Sequence, residues 1–167
     1  GIKNLVGANT KVSFAANNNY NRAVDLAKEA DVAIVIVGND PTCSAGWKQC
    51  PVPSDGKEAV DRKSISLEQE ALVKQIFEAN PNTIMVLQSS FPYAINWSQA
   101  HIPSIIHLTH ASQETGTALA SVLFGKYNPA GRLVQTWPTS INHLPDMMDY
   151  DITKGRTYMY ATHKPLY

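Results

Sequence analysis

Apolar and polar residues follow two rhythms along this chain. Ala23, Leu26 and Ala27 recur at spacings of three and four, which predicts a helix over Arg22 to Ala30. Val32 to Val37 is then an unbroken apolar run rich in β-branched residues. Such a run predicts a strand buried on both faces, the habit of parallel sheets. Lys11 to Ala15 is a weaker strand candidate, and Asn18 to Asn21 reads as a polar turn. Asn39 to Lys63 breaks the rhythm, being long, polar and rich in Pro, Gly and Cys. An insert of this length in a compact domain is usually functional or disordered. Ser66 opens a capping pattern with Gln69 three residues on, and Leu72, Val73, Ile76 and Phe77 give the helix that follows its apolar face. Asn80-Pro81-Asn82 ends that helix. Thr83 to Leu87 predicts a second strand, Tyr93 to Ala100 a short helix and Ser104 to Leu108 a third strand. Gln113 to Phe124 predicts a helix with Ala118, Leu119, Val122 and Leu123 on one face, stopped by Gly125. Leu133 to Thr136 reads as a short last strand, and beyond Pro138 the pattern dissolves into Tyr, Met and His.

Repeated strand–helix units predict an α/β fold, a three-layer sandwich with a mostly parallel central sheet and helices on both faces. In such sheets ligands lie beyond the carboxyl ends of the strands. Three segments fall there: Gly38 to Lys63, Gln88 to Tyr93, and Thr109 to Glu114.

Composition narrows the function. The chain has 167 residues, 44% of them apolar and 17% charged, which fits one globular domain with its own core. Lys plus Arg and Asp plus Glu are 14 each, so the formal net charge is zero, without the basic excess of a nucleic-acid binder. The apolar run at Val32 to Val37 is too short to span a bilayer, and no N-terminal segment reads as a signal peptide. The start at Gly1 rather than Met is compatible with processing or truncation upstream. Cys43 and Cys50 are either two free thiols in the long loop or a local disulfide clamping it, a choice that geometry decides.

The common catalytic fingerprints are missing: no GxGxxG follows a strand, and neither GxxxxGK[ST] nor GxSxG occurs. His107 and His110 are three apart, which on a strand puts them on opposite faces. They read as one packed histidine and one at the strand end, rather than as a metal pair. The remaining chemistry is acidic. The long loop carries Asp55, Glu58 and Asp61, followed by Arg62. A carboxyl held on a loop at the carboxyl edge of a sheet serves as a general acid when its pKa is raised, and otherwise it is a solvated loop charge. Glu114 lies where a strand runs into a helix N-terminus, so it reads either as a cap or as a polar group facing the same cleft.

Several segments in order then resemble one family. Gly125-Lys126-Tyr127-Asn128-Pro129-Ala130-Gly131-Arg132-Leu133 resembles the "FG.YNPSGRLP.T.P" signature of glycoside hydrolase family 3. Ala30 to Gly38 is similar to its "ADVAVVVVG" strand, Asp61-Arg62 to its "DR", and Ser112-Gln113-Glu114 to its "GQE", with Ser112 in place of Gly. Gly155-Arg156-Thr157-Tyr158 resembles its "GRTYRY" strand, and Pro165-Leu166-Tyr167 the opening of its "PLYPFGYGLSY" segment. The resemblance covers roughly Arg22 to Tyr167.

What the resemblance implies is an exo-acting, retaining β-glycosidase of β-glucosidase or β-xylosidase type, in which a (β/α)8 barrel holds the Asp nucleophile and an α/β sandwich supplies the Glu acid/base. This chain resembles the sandwich alone. Residues 1–21 then form a linker and first strand, 22–138 the sandwich, and 139–167 an extension of it that stops inside the family's last segment. The family loop reads approximately "EAEGxDR", which carries its acid/base onto Glu58, three before Asp61, while Gly56 stands at the first acid and Asp55 just upstream. Asp55, Trp47, Tyr93 and Glu114 are the expected substrate-binding residues, with Trp47 or Tyr93 stacking on a sugar face. No cofactor or metal is implied. The expected partners are a β-glycoside or oligosaccharide, the barrel, and a second copy in a homodimer, with neither nucleic acid nor membrane. The expected location is secreted or periplasmic. A non-catalytic carbohydrate-binding or scaffold module of the same fold is the alternative. A flavodoxin-like domain is a third reading, disfavoured by the lack of phosphate-cradling glycines.

Overall fold

The computed structural model describes residues 1–16, 19–43 and 50–167. Five helices and three strands follow in the order α1 (Ile2–Val6), α2 (Tyr20–Lys28), β1 (Ala33–Gly38), α3 (Glu70–Ala79), β2 (Thr83–Gln88), α4 (Asn96–His101), β3 (Ser104–Leu108) and α5 (Thr115–Leu123), among the described residues. The strands form one parallel sheet in the order β1-β2-β3. Val35 stands opposite Met85 and Met85 opposite Ile105, while Val37, Leu87 and His107 align one step further along.

One face of the sheet carries the core. Ala33, Val35, Val37, Met85 and Leu87 pack with Val73 and Ile76 of α3 and Ala27 of α2. Tyr93, Ile95 and Ile102, around α4, close the same cluster. On the other face Val86, and on α5 Ala120, are fully buried outside that cluster. The architecture is the α/β sandwich that the alternation of elements predicts.

Four local expectations change. The β1 run is not covered on both faces: Ile36 is 52% exposed, because the helices pack on the face of Val35 and Val37. Residues 11–15 form no strand. The capping pattern at Ser66 does not start α3, which begins at Glu70. Both of its partners are used in tertiary contacts: Ser66 bridges to Ala94, and Gln69 Oε1 accepts from the Gly38 amide at 2.7 Å. The last strand is replaced by a pairing one residue beyond it. Trp137 donates its amide to the Tyr167 carbonyl at 3.1 Å and accepts from the Leu166 amide at 2.7 Å. That pairing wedges the Trp137 ring, 2% exposed, edge-on to His107 and Tyr167. Val134, within the expected strand, is 98% exposed.

Cys43 and Cys50 form a disulfide. Of the two readings open from the sequence, the clamped loop is therefore the one adopted. No helix among the described residues is long and apolar enough to cross a membrane.

Candidate active site at the carboxyl edge of the sheet

The three segments that follow the strands meet. Asn39, just beyond β1, donates its amide to the Gln88 carbonyl at 3.2 Å and accepts at Oδ1 from the Ser90 amide at 3.1 Å. His110, beyond β3, reaches the Asn39 carbonyl through Nε2 and the Ser90 hydroxyl through Nδ1, both at 2.8 Å. A carbonyl only accepts, so Nε2 carries the proton. His107 is instead half-buried in the sheet, against Trp137 and Ser89, and burial lowers its pKa. One histidine thus packs and the other ends the strand. No group of three or more metal-ligating side chains exists among the described residues.

Arg62 fastens the long loop to this edge. Its Nε donates to the Ser54 carbonyl at 2.7 Å and its Nη1 to the Pro92 carbonyl at 2.8 Å. The guanidinium lies over the rings of Phe91 and Tyr93, at 4.0 and 4.7 Å from their centroids. Its stem runs beside Gly56, where a Cβ would come within 2.7 Å of Arg62 Cγ. The buried Ser54 hydroxyl donates to Glu68, and the Tyr93 hydroxyl donates to Asp55. Burial raises the Asp55 pKa and Glu68 raises it further, against the Tyr93 bond and the Arg62 charge. Burial likewise raises that of Tyr93, with Asp55 adding to the effect.

Glu58 is placed differently. Lys57 and Val60 exchange both backbone bonds, at 3.3 and 3.0 Å, so Glu58 and Ala59 form the exposed tip of a tight turn. Ala59 has φ of 62°, a left-handed conformation that favours glycine. It falls on the glycine of the "EAEGxDR" pattern. Replacing Ala59 with Gly is therefore expected to stabilise the fold by about 0.5–1 kcal/mol, the relieved strain being partly offset by a freer unfolded chain. A chemical-denaturation midpoint that fails to rise would contradict this backbone reading.

The turn forms one rim of a groove of about 590 Å³ whose lining includes Asn39, Lys57, Val60, Arg62, Phe91 and Met147. Of the expected substrate-binding residues, Asp55 is partly buried within the loop, its carboxylate tied to the Tyr93 hydroxyl. Tyr93 is 1% exposed within the core, so its ring has no free face for a sugar, and its hydroxyl is bonded to Asp55. Glu114 is exposed just before α5 and makes no side-chain cap; its carbonyl accepts from the Thr117 and Ala118 amides, both at 3.0 Å. Like Glu58 and Asp55, it is not among the residues that line the groove. Trp47 lies outside the described residues.

The groove also contains residues that sequence reasoning did not single out. Phe91 had a faint signal, an aromatic residue in the segment after β2. Met147 had none, because the stretch that carries it shows no periodicity. Arg156 positions that stretch by donating to the carbonyls of Asp146, Met147 and Asp149.

Comparison with known proteins bears on the family and the fold. A family model described as the glycosyl hydrolase family 3 C-terminal domain matches residues 1–167. A putative beta-glucosidase of Schizosaccharomyces pombe is 34% identical over 80% of this chain and 15% of its own length. A xylan 1,4-beta-xylosidase of Xylanibacter ruminicola is 33% identical over 92% of this chain and 18% of its own. Among solved structures, a beta-glucosidase from Kluyveromyces marxianus in complex with glucose superposes with a TM-score of 0.61 at 28% identity, over 77% of this chain and 14% of that one. A Bifidobacterium adolescentis beta-glucosidase gives 0.62 at 29% identity, over 84% and 19%. The chain spans less than a quarter of the length of these relatives.

Proposed function

The chain belongs to the glycosyl hydrolase family 3 C-terminal domain family, and from that premise we propose that it supplies the general acid/base, Glu58, to a retaining exo-β-glycosidase of β-glucosidase or β-xylosidase type. The Asp nucleophile belongs, in this reading, to a (β/α)8 barrel facing the groove. One observation carries the proposal: Glu58 stands at the exposed tip of a turn whose other residues, Lys57 and Val60, line the groove, so that a carboxylate from a second body can approach it. Asp55, by contrast, is partly buried and tied to the Tyr93 hydroxyl.

The chemistry follows from paired carboxylates. Protonated Glu58 gives its proton to the glycosidic oxygen while the barrel carboxylate, about 5–5.5 Å away, attacks the anomeric carbon. The alcohol departs and a covalent glycosyl-enzyme remains. Glu58, now ionised, takes a proton from water as that water attacks the same carbon, which restores the nucleophile and releases the sugar with its configuration retained. The Cys43–Cys50 bond supports a secreted or periplasmic location, since disulfides persist in oxidising compartments.

The test uses the enzyme that unites this chain with a barrel. p-Nitrophenyl β-glucoside and β-xyloside are supplied, and the first-formed anomer is followed by proton NMR. Hydrolysis of either with β-sugar appearing first is expected. Inversion, or binding of sugar with no hydrolysis of either substrate, would overturn the reading, the latter in favour of a carbohydrate-binding module.

A further inference from the structure

The loop that carries Glu58 has little backbone order of its own. Between β1 and α3 no helix or strand forms among the described residues. Residues 53–64 instead make an irregular hairpin. The Pro53 carbonyl accepts from the Lys63 and Ser64 amides at 2.8 and 3.1 Å, the Ser54 carbonyl accepts from Arg62 Nε at 2.7 Å, and the Lys57–Val60 pair closes the tip. A tip held by so few bonds stands where its legs are placed. The second leg is placed by Arg62, which donates to the Pro92 carbonyl, and by the Ile65 carbonyl, which accepts from the Ala94 amide at 2.7 Å. The first leg is placed by side chains: Asp55 takes the Tyr93 hydroxyl, and the Ser54 hydroxyl donates to Glu68.

Glu68 belongs to a firmly rooted element. It and Gln69 are neighbours in the turn that leads into α3, where the Glu70 amide donates to the Leu67 carbonyl at 3.0 Å. Ile65 and Leu67 are buried and anchor that segment in the interior. Gln69 Oε1 accepts from the Gly38 amide, where β1 ends and the long loop begins. Glu68 takes Ser54, on the hairpin leg that leads to the tip. Ser54 is fully buried, so its hydroxyl has no water to take the place of the carboxylate. One turn thus clasps the loop at two points, its start and the first leg of its hairpin. A proton donor carried on a loop needs such a restraint, because a displacement of about 1 Å costs on the order of 10²-fold in rate.

We infer that Glu68 is a positioning residue for the acid/base: through the Ser54 hydroxyl it sets where the turn carrying Glu58 stands. The inference rests on the acid/base reading of Glu58. Glu68 itself is not among the residues that line the groove, so it acts through the loop and not on a substrate.

The experiment measures kcat/KM in the barrel-containing enzyme on cellobiose and on 2,4-dinitrophenyl β-glucoside, or on the xylose pair if xylose is the sugar released. Only the disaccharide needs a proton on its leaving oxygen. The ratio of the two values therefore reports where the acid stands, whereas impaired folding lowers both values alike. Ser54→Ala and Glu68→Ala each remove the clasp and are expected to lower the ratio about tenfold. The double variant should lower it no further, since both changes delete one bond. Glu68→Gln keeps an acceptor for the Ser54 hydroxyl and should hold the ratio within about threefold of the parent's. A ratio unchanged within about twofold in both alanine variants overturns the inference, whether both rates hold or both fall together, the second being the mark of a contact that serves folding alone. A Glu68→Gln ratio as low as that of Glu68→Ala also overturns it, because charge rather than the bond to Ser54 then carries the effect. Either result leaves the Glu58 reading standing. A parent enzyme that hydrolyses neither substrate, or a Glu58→Gln variant that loses equally on both, overturns the function reading and this inference with it.

Discussion

Glu58→Gln, in the enzyme that joins this chain to a barrel, is expected to lower kcat/KM about 10²–10⁴-fold on glycosides with poor leaving groups. The amide is nearly isosteric but has no proton to give. The loss should shrink as the leaving group becomes more acidic, because a phenolate or fluoride of low basicity departs without a proton. In Glu58→Ala, added azide should restore turnover with such activated substrates and yield the β-glycosyl azide, since under the proposed mechanism the small anion takes the place of the water that Glu58 would activate. Asp55→Asn serves as the comparison. It is partly buried and takes the Tyr93 hydroxyl, a bond that an amide oxygen also accepts, so its loss should be smaller and independent of the leaving group. Turnover on a poor leaving group that survives Glu58→Gln unchanged would remove Glu58 from the mechanism. A leaving-group-dependent collapse in Asp55→Asn would transfer the role there.

The second large effect is on stability. Gly38→Ala is expected to cost more than about 3 kcal/mol. Gly38 ends β1 with φ of 148°, and a Cβ there would lie 1.8 Å from the Gln88 carbonyl oxygen. That carbonyl is backbone of the central strand and also accepts from the Asn39 amide, so it cannot yield without disturbing the strand end. Gly125→Ala is the matched control. Its φ of 68° is also left-handed, but nothing lies within 4 Å of the added Cβ, so only the backbone strain of about 1 kcal/mol remains. Thermal melting of the barrel-containing enzyme checks both. Equal shifts for the two variants would show that the collision at Gly38 is relieved by a small movement.

Much of the framework was legible from local pattern. β3 spans Ser104 to Leu108 as its residues predict, and β2 extends the expected strand by one residue, to Gln88. These runs are short and apolar, bounded by polar or proline residues, so local chemistry decides them. The elements that failed did so for a shared reason. Ser66 and Gln69 form a sound capping pattern, yet the Gly38 amide claims the Gln69 side chain and the Ser66 backbone is drawn into a bridge with Ala94. Leu133 to Thr136 has a strand's composition, yet the pairing with the chain end forms at Trp137. Tyr93 reads as an aromatic near a sugar site, yet burial among Val37, Leu87 and Ile95 takes its ring out of reach. In each case a partner far away in sequence outweighs the local preference.

By itself the sequence determined the α/β order of elements, the family, and which loop carries the acids, because periodicity and motif spacing are local properties written into adjacent residues. Only the tertiary structure decided that Asp55 is partly buried within the loop while Glu58 stands clear at its tip, that Cys43 joins Cys50, and that Asn39, Phe91 and Met147 share one groove. Those outcomes depend on burial and on the meeting of segments as far apart as Asn39 and Met147, which line one groove, and no window of sequence contains both sides of such a meeting.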